Sequence, residues 1–127
     1  MTYRILVTGE RDWTDEQQVH NAIATVLRRL NTNDVVVVHG DCPTGADSFA
    51  QSFCEKHGVA FERHPGKDHG QWPFCGPNRN SHMVKLGADI CLAFWSGSKI
   101  EKSGTFNCLR KAVKAKIRVL IYPRIDE

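Results

Sequence analysis

The chain has 127 residues, enough for one domain that can bury a proper core without staples. A net charge of +3 with 24% charged residues describes an ordinary globular protein and lacks the basic stripe that nucleic-acid binding asks for. Five cysteines, an odd number at long spacings with no Cys-x-x-Cys pair, exclude a zinc ribbon and a thioredoxin motif.

Residues 3–8 read as a first strand. Thr14 starts a helix, with Gln17 completing a capping box. Val19, Ala22, Ile23, Val26, Leu27 and Leu30 form its apolar stripe at helical spacing. Val35 to Val38 is a continuous β-branched run, as expected of a strand buried on both faces. A second helix runs from Gly45 to His57, buries Ala46, Phe49, Ala50 and Phe53, and stops at Gly58. Residues 59–64 form a weaker third strand, and 65–77 read as a loop rich in Gly, Pro and His.

Pro77 suits the first turn of a short third helix that ends at Gly87. Ile90 to Trp95 is a fourth strand. After a polar loop, a helix over 103–116 buries Phe106, Leu109, Ala112 and Val113. Ile117 to Tyr122 is a fifth strand, closed by Pro123. No repeat or linker interrupts residues 1–127, which form a single domain. Strands alternating with amphipathic helices imply right-handed crossovers. The expected fold is α/β, a Rossmann-like three-layer sandwich with a five-stranded parallel sheet. The Gly-x-Gly-x-x-Gly fingerprint is absent after strand one, which argues against an NAD dehydrogenase half.

Five glycine-punctuated turns fall where strands end and helices begin: Thr8-Gly9-Glu10-Arg11, His39-Gly40-Asp41, Thr44-Gly45-Ala46-Asp47, Gly76-Pro77-Asn78-Arg79-Asn80 and Ser103-Gly104-Thr105. Ligands of open α/β sheets bind at that edge, where helix amides attract anions and glycine admits a phosphate closely. Arg11 and Arg79 are candidate phosphate donors. Asn80 adds side-chain donors, and Ser103, Gly104 and Thr105 a run of hydroxyls and amides. Gly40, Gly45 and Asp47 would shape the ribose side, with Trp13 or Trp95 against a base. Structural readings stand beside these. Arg11 and Asp12 could pair on the surface, Asp47 could be a first-turn helix acid, Ser103 and Thr105 could be simple caps, and Trp95 could be packing. The basic residues Arg110, Lys111, Lys114, Lys116 and Arg118 read as a solvated helix face.

His64, His69, Cys75 and His82 are spaced too irregularly for ordinary zinc ligand pairs, so no metal and no cofactor is expected. A Cys42–His39 nucleophile lacks a third group. Cys54 and Cys91 lie on apolar faces and behave as small hydrophobes. With no leader or transmembrane run, the expected location is the cytoplasm.

Together these motifs resemble the SLOG superfamily, named for the SMF/DprA and LOG proteins, and within it the small stand-alone YspA-like, YpsA-related SLOG family. The resemblance rests on Gly9-Glu10-Arg11 with Trp13, His39-Gly40, Gly45-Ala46-Asp47, Gly76-Pro77-Asn78-Arg79-Asn80 and Gly104-Thr105, in order over nearly the whole chain. It implies a Rossmann-like domain that binds a nucleotide or nucleotide-derived ligand, such as an ADP-ribose-type signal, an NAD-related species or a nucleoside monophosphate, as a sensor or sequestering domain. The LOG relatives it implies cleave N-glycosidic bonds with a Glu in Pro-Gly-Gly-x-Gly-Thr-x-x-Glu. Here Cys108 stands at that position and the Pro-Gly-Gly lead is missing. A nucleotide hydrolase would therefore need Asp47, Glu10, Asp12 or Glu101 as its base, with Asp47 the first candidate. A third reading, single-stranded nucleic-acid binding, would use Trp72 and Phe74 as stacking platforms, but the low charge makes nucleic acid an unexpected partner. The resemblance also implies pairing into a homo-oligomer.

Overall fold

A computed structural model describes residues 1–97 and 103–123. Its sheet contains β1 (Tyr3–Gly9), β2 (Val35–His39), β3 (Ala60–Arg63), β4 (Ile90–Phe94) and β5 (Arg118–Tyr122), all parallel, in the order β3-β2-β1-β4-β5. Four helices flank it: α1 (Glu16–Arg28), α2 (Gly45–His57), α3 (Cys75–Leu86) and α4 (Gly104–Lys114). The expected α/β sandwich with five parallel strands is therefore present. No described helix is long and apolar enough to cross a membrane.

The three central strands are buried almost throughout, because helices cover both faces of a parallel sheet. The pleat divides their side chains. Ile5, Val7, Val37, Leu92 and Phe94 point into the layer of α1 and α2, together with Val19, Ile23, Ala46, Ala50 and Phe53. Leu6, Val36, Val38 and Cys91 point the other way, against Met83 of α3 and Cys108 and Ala112 of α4. The chain builds outward from β1 to β3, then crosses to β4 on the other side of β1 and builds outward again. That reversal between β1 and β4 opens a crevice above their carboxyl ends.

Several boundaries differ from the sequence reading. Asp15, not Thr14, caps α1, its carboxylate accepting from the Gln18 amide at 3.0 Å; the cap thus sits one residue later than the Thr14–Gln17 box. Gly58 ends α2 in the left-handed conformation at φ +67°, as its composition suggests. The segment 65–77 is not all loop: Gly66–His69 forms a short 3-10 helix, and α3 begins at Cys75 with Pro77 inside its first turn, where a missing N–H costs nothing. α4 starts at Gly104 with Ser103 as its cap. Its buried face is Thr105, Cys108, Leu109 and Ala112, while Val113, expected inside, is exposed. The face is turned because Thr105 and Cys108 pack toward β1 and the crevice.

Candidate functional site

The crevice at the β1–β4 reversal has a volume of about 810 Å³ and is lined from the β1 end, the β2 loop, α3 and the start of α4. Of the residues singled out in the sequence, Gly9, Arg11, Gly40, Asp47, Arg79, Asn80, Ser103, Gly104 and Thr105 line it. Gly45, Trp13 and Trp95 do not. Gly45 sits behind the rim with φ +74°, and a Cβ there would overlap the Glu10 carbonyl and come within 2.7 Å of the Arg11 carbonyl. It lets α2 start against the β1 loop.

Arg79 is buried and largely committed to the protein itself. Its Nη1 donates to the Gly40 carbonyl at 2.6 Å and to the His64 carbonyl at 3.4 Å, and its Nε donates to Asn80 Oδ1 at 2.8 Å. Gly40 has no Cβ because the guanidinium lies on it: an added Cβ would come 2.6 Å from Cζ. Among the described residues, only the Nη2 hydrogens of Arg79 remain for a ligand. Asn80 is a strut between α3 and α4. Its Nδ2 donates to the Gly104 carbonyl and to Asn107 Oδ1, each at 3.1 Å, so both of its donors, expected for a ligand, are used internally.

Asp47, in the first turn of α2, is buried. Its Oδ2 accepts from the amides of Gly40 at 3.1 Å and Cys42 at 3.3 Å. The carboxylate therefore orders the loop after β2. Burial pushes Asp47 above the ordinary carboxylate range, opposed by His39, Cys42 and Arg79 nearby. Burial and then the Asp47 charge push the Cys42 thiol up to about 11, far from the thiolate a nucleophile needs. His39 cannot activate it. Its Nδ1 accepts from the Asp41 amide at 3.0 Å, which leaves Nε2–H to donate to Gln51 Oε1 at 2.8 Å. Cys108, at the position where LOG enzymes carry Glu, is fully buried among Leu6, Met83 and Ala112. Burial raises its thiol to about 11, partly offset by the Thr8 hydroxyl.

Glu10 is engaged as well, its oxygens accepting from the Ser96 amide at 2.7 Å and hydroxyl at 3.2 Å. Of the two remaining candidate bases, Asp12 is exposed on the crevice lining and Glu101 lies outside the described residues. Arg11 differs from Arg79: it lines the crevice, is exposed, and its guanidinium makes no hydrogen bond or ion pair among the described residues. The first two amides of α4, at Gly104 and Thr105, have no acceptor within the helix. The Ser103 hydroxyl instead caps the Phe106 amide at 3.0 Å.

The tryptophans are redistributed relative to expectation. Trp13 packs edge-on against Phe94 with centroids 5.8 Å apart, beside a smaller neighbouring cavity of about 430 Å³. Trp95 packs on Phe106 at 5.1 Å. The indole at the crevice is Trp72, 82% exposed, which sequence reasoning assigned only to nucleic-acid stacking. Cys42 and Asp12, read from the sequence as a weak nucleophile and a candidate base, also line the crevice, as do Met83 and Asn107; the last two had no signal in the sequence beyond nearness to the glycine turns.

The YspA, cpYpsA-related SLOG family matches residues 3–68, from β1 into the 3-10 helix. The chain is 38% identical over 122 residues to the Gene 61 protein of Mycobacterium phage D29, which spans 92% of this chain and 94% of that protein. No solved structure matches. The chain belongs to the YspA, cpYpsA-related SLOG family, and that membership points to a nucleotide-related function.

Proposed function

We propose that this family member binds a nucleotide or nucleotide-derived ligand in the crevice and acts as a sensor or sequestering domain rather than as a hydrolase. One observation carries the reading: the uncommitted guanidinium of Arg11 and the open amides of α4 line the same crevice at the sheet's reversal point. A phosphate held there gains charge-assisted hydrogen bonds and the helix's partial positive charge. A volume of about 810 Å³ suits a ligand of nucleotide size. Trp72 supplies a flat apolar face for a base, and Asp12 and Asn107 supply polar atoms for a sugar. ADP-ribose-type, NAD-related and nucleoside monophosphate ligands all present this chemistry.

Binding is favoured over cleavage by the state of the acids. Asp47 and Glu10 are tied to backbone and side-chain donors, and Cys108 brings a buried thiol where a LOG enzyme needs a carboxylate. The five cysteines are free, which supports a reducing compartment such as the cytoplasm.

The test is thermal melting with AMP, NAD, ADP-ribose and cyclic ADP-ribose, followed by chromatography of each mixture. A ligand at ~100-fold its dissociation constant adds roughly 2.7 kcal/mol, and it should be recovered intact. Arg11→Ala should weaken binding about 10- to 100-fold, the worth of one or two hydrogen bonds to a charged group. A flat melting temperature across the panel would refute the binding reading; recovered free base would refute the non-catalytic one.

A further inference from the structure

Three of the chain's six histidines fall between residues 64 and 82, outside the crevice. His64 follows β3, His69 closes the 3-10 helix, and His82 stands midway along α3. The fold brings the three rings into a single cluster, with a ligating nitrogen of each within 4.8 Å of the others. The His82 ring centroid lies 4.9 Å from that of His69 and 5.3 Å from that of His64. His64 and His69 are half-buried and His82 is exposed. Cys75, which sequence spacing grouped with them, is not part of the cluster.

Behind His64 stands a carboxylate. His64 Nε2 lies 3.0 Å from Glu62 Oε1. Glu62 is itself fixed by Arg4, whose Nη1 and Nη2 donate to its two carboxylate oxygens at 2.8 and 3.0 Å. With Glu62 Oε1 accepting the Nε2–H of His64, the Nδ1 lone pair of that ring is left for another partner. A carboxylate that orients a histidine in this way is the usual support of a metal-ligating imidazole. The ring nitrogens of His69 and His82 make no hydrogen bond among the described residues that would compete.

We propose that His64, His69 and His82 form a site for one Zn²⁺ ion, with the fourth position open to water. Imidazole donors suit zinc and its late first-row neighbours, and the lack of a carboxylate among the three disfavours Mg²⁺ and Ca²⁺. Zinc–nitrogen bonds of about 2.0–2.1 Å put tetrahedral ligands about 3.4 Å apart. The nitrogens thus need to draw in by at most about 1.4 Å from their 4.8 Å limit, a movement within the reach of side-chain rotation at His69 and His82 together. The ion would pin the end of β3, the 3-10 helix and α3 together. Trp72, Pro73 and Gly76, which form one wall of the crevice, lie in the chain between His69 and His82, so the metal would fix that wall. The site does not depend on the nucleotide reading.

The experiment uses the full chain freed of metal by chelation, titrated with Zn²⁺ by calorimetry and with Co²⁺ by visible absorption. One equivalent should bind, and Co²⁺ should give a tetrahedral spectrum without thiolate charge-transfer bands. His82→Ala, at an exposed position, should melt like the parent without metal and bind Zn²⁺ at least about 100-fold more weakly, beyond what loss of a mere supporting residue costs. His69→Ala should behave in the same way, and Cys75→Ser should bind normally. Sub-stoichiometric uptake, equal affinity in His82→Ala, or loss of binding in Cys75→Ser would each overturn the proposal.

Discussion

Gly40→Ala should destabilise the fold through a residue far away in sequence. The new methyl would come 2.6 Å from Arg79 Cζ, so the guanidinium must leave its place. It then loses the 2.6 Å bond to the Gly40 carbonyl and the 3.4 Å bond to the His64 carbonyl, in a side chain only 8% exposed. Hydrogen bonds to a charged group are worth about 1.5–3 kcal/mol. With the longer bond counted as weak, the expected cost is about 2–4 kcal/mol. For a domain of this size that is a fall in melting temperature of about 4 °C per kcal/mol. Arg79→Met, which keeps the apolar stem, leaves the Gly40 carbonyl and Asn80 Oδ1 without their donor and should cost a similar amount. The double variant discriminates. With no guanidinium to displace, the alanine methyl has room, and the pair should cost about 1–3 kcal/mol less than the sum of the singles. Urea unfolding of the four proteins measures the cycle. Additivity within about 0.5 kcal/mol, or a Gly40→Ala cost below that, would refute the account of Gly40 as the seat of Arg79.

Acid should weaken the fold through Glu62. Its carboxyl, ordinarily at 4.5, is held at about 2 by Arg4, whose Nη1 and Nη2 donate to it at 2.8 and 3.0 Å. A depressed acid contributes stability above its unfolded value and loses it as pH falls from 4.5 toward 2. Because the carboxylate is 37% exposed, screening limits the effect to about 1 kcal/mol; Arg4→Gln should flatten the stability profile over this range, the gap to the parent narrowing toward the acid end to the pH-independent loss of the Nε bond to the Gly87 carbonyl at 2.9 Å. Cys42, held up at about 11, should react slowly with iodoacetamide at neutral pH, and Asp47→Asn should speed it by removing the adjacent charge; mass spectrometry of the modified peptide reads the rate. Cys108→Glu, which restores the LOG residue type, should cost several kcal/mol for burying a carboxyl in an apolar layer and yield no base release in a hydrolysis assay.

The fold was legible because burial leaves a periodic trace. Val35 to Val38 reads as a two-sided buried strand, and the α1 stripe from Val19 to Val26 shows which face meets the sheet. The crevice was legible for the same topological reason: glycine turns at strand ends mark the sheet's active edge. The division of labour along that edge was not. Whether a guanidinium meets a phosphate or a carbonyl depends on contacts between residues 40 and 79, and no local pattern encodes such a contact. Arg79, Asn80 and Asp47 read as ligand contacts and serve mainly as ties. The α4 face was misjudged at Val113 because hydrophobicity alone favours valine over Thr105 and Cys108. The histidines escaped because His64, His69 and His82 come from a strand end, a 3-10 turn and a helix, so their spacing follows no ligand-pair rule.

The ties along the crevice have a kinetic consequence. Asp47 fixes the loop after β2, Arg79 bridges that loop to α3, and Asn80 bridges α3 to α4. The rim is thus preorganised across both helical layers before anything enters it. A guest that fits would meet a frame with little conformational entropy left to lose, and the ordering cost would fall on the guest and on the exposed side chains Arg11 and Trp72. Encounter, rather than rearrangement of the protein, would then set the association rate, and affinity differences among related guests would appear in how slowly they leave.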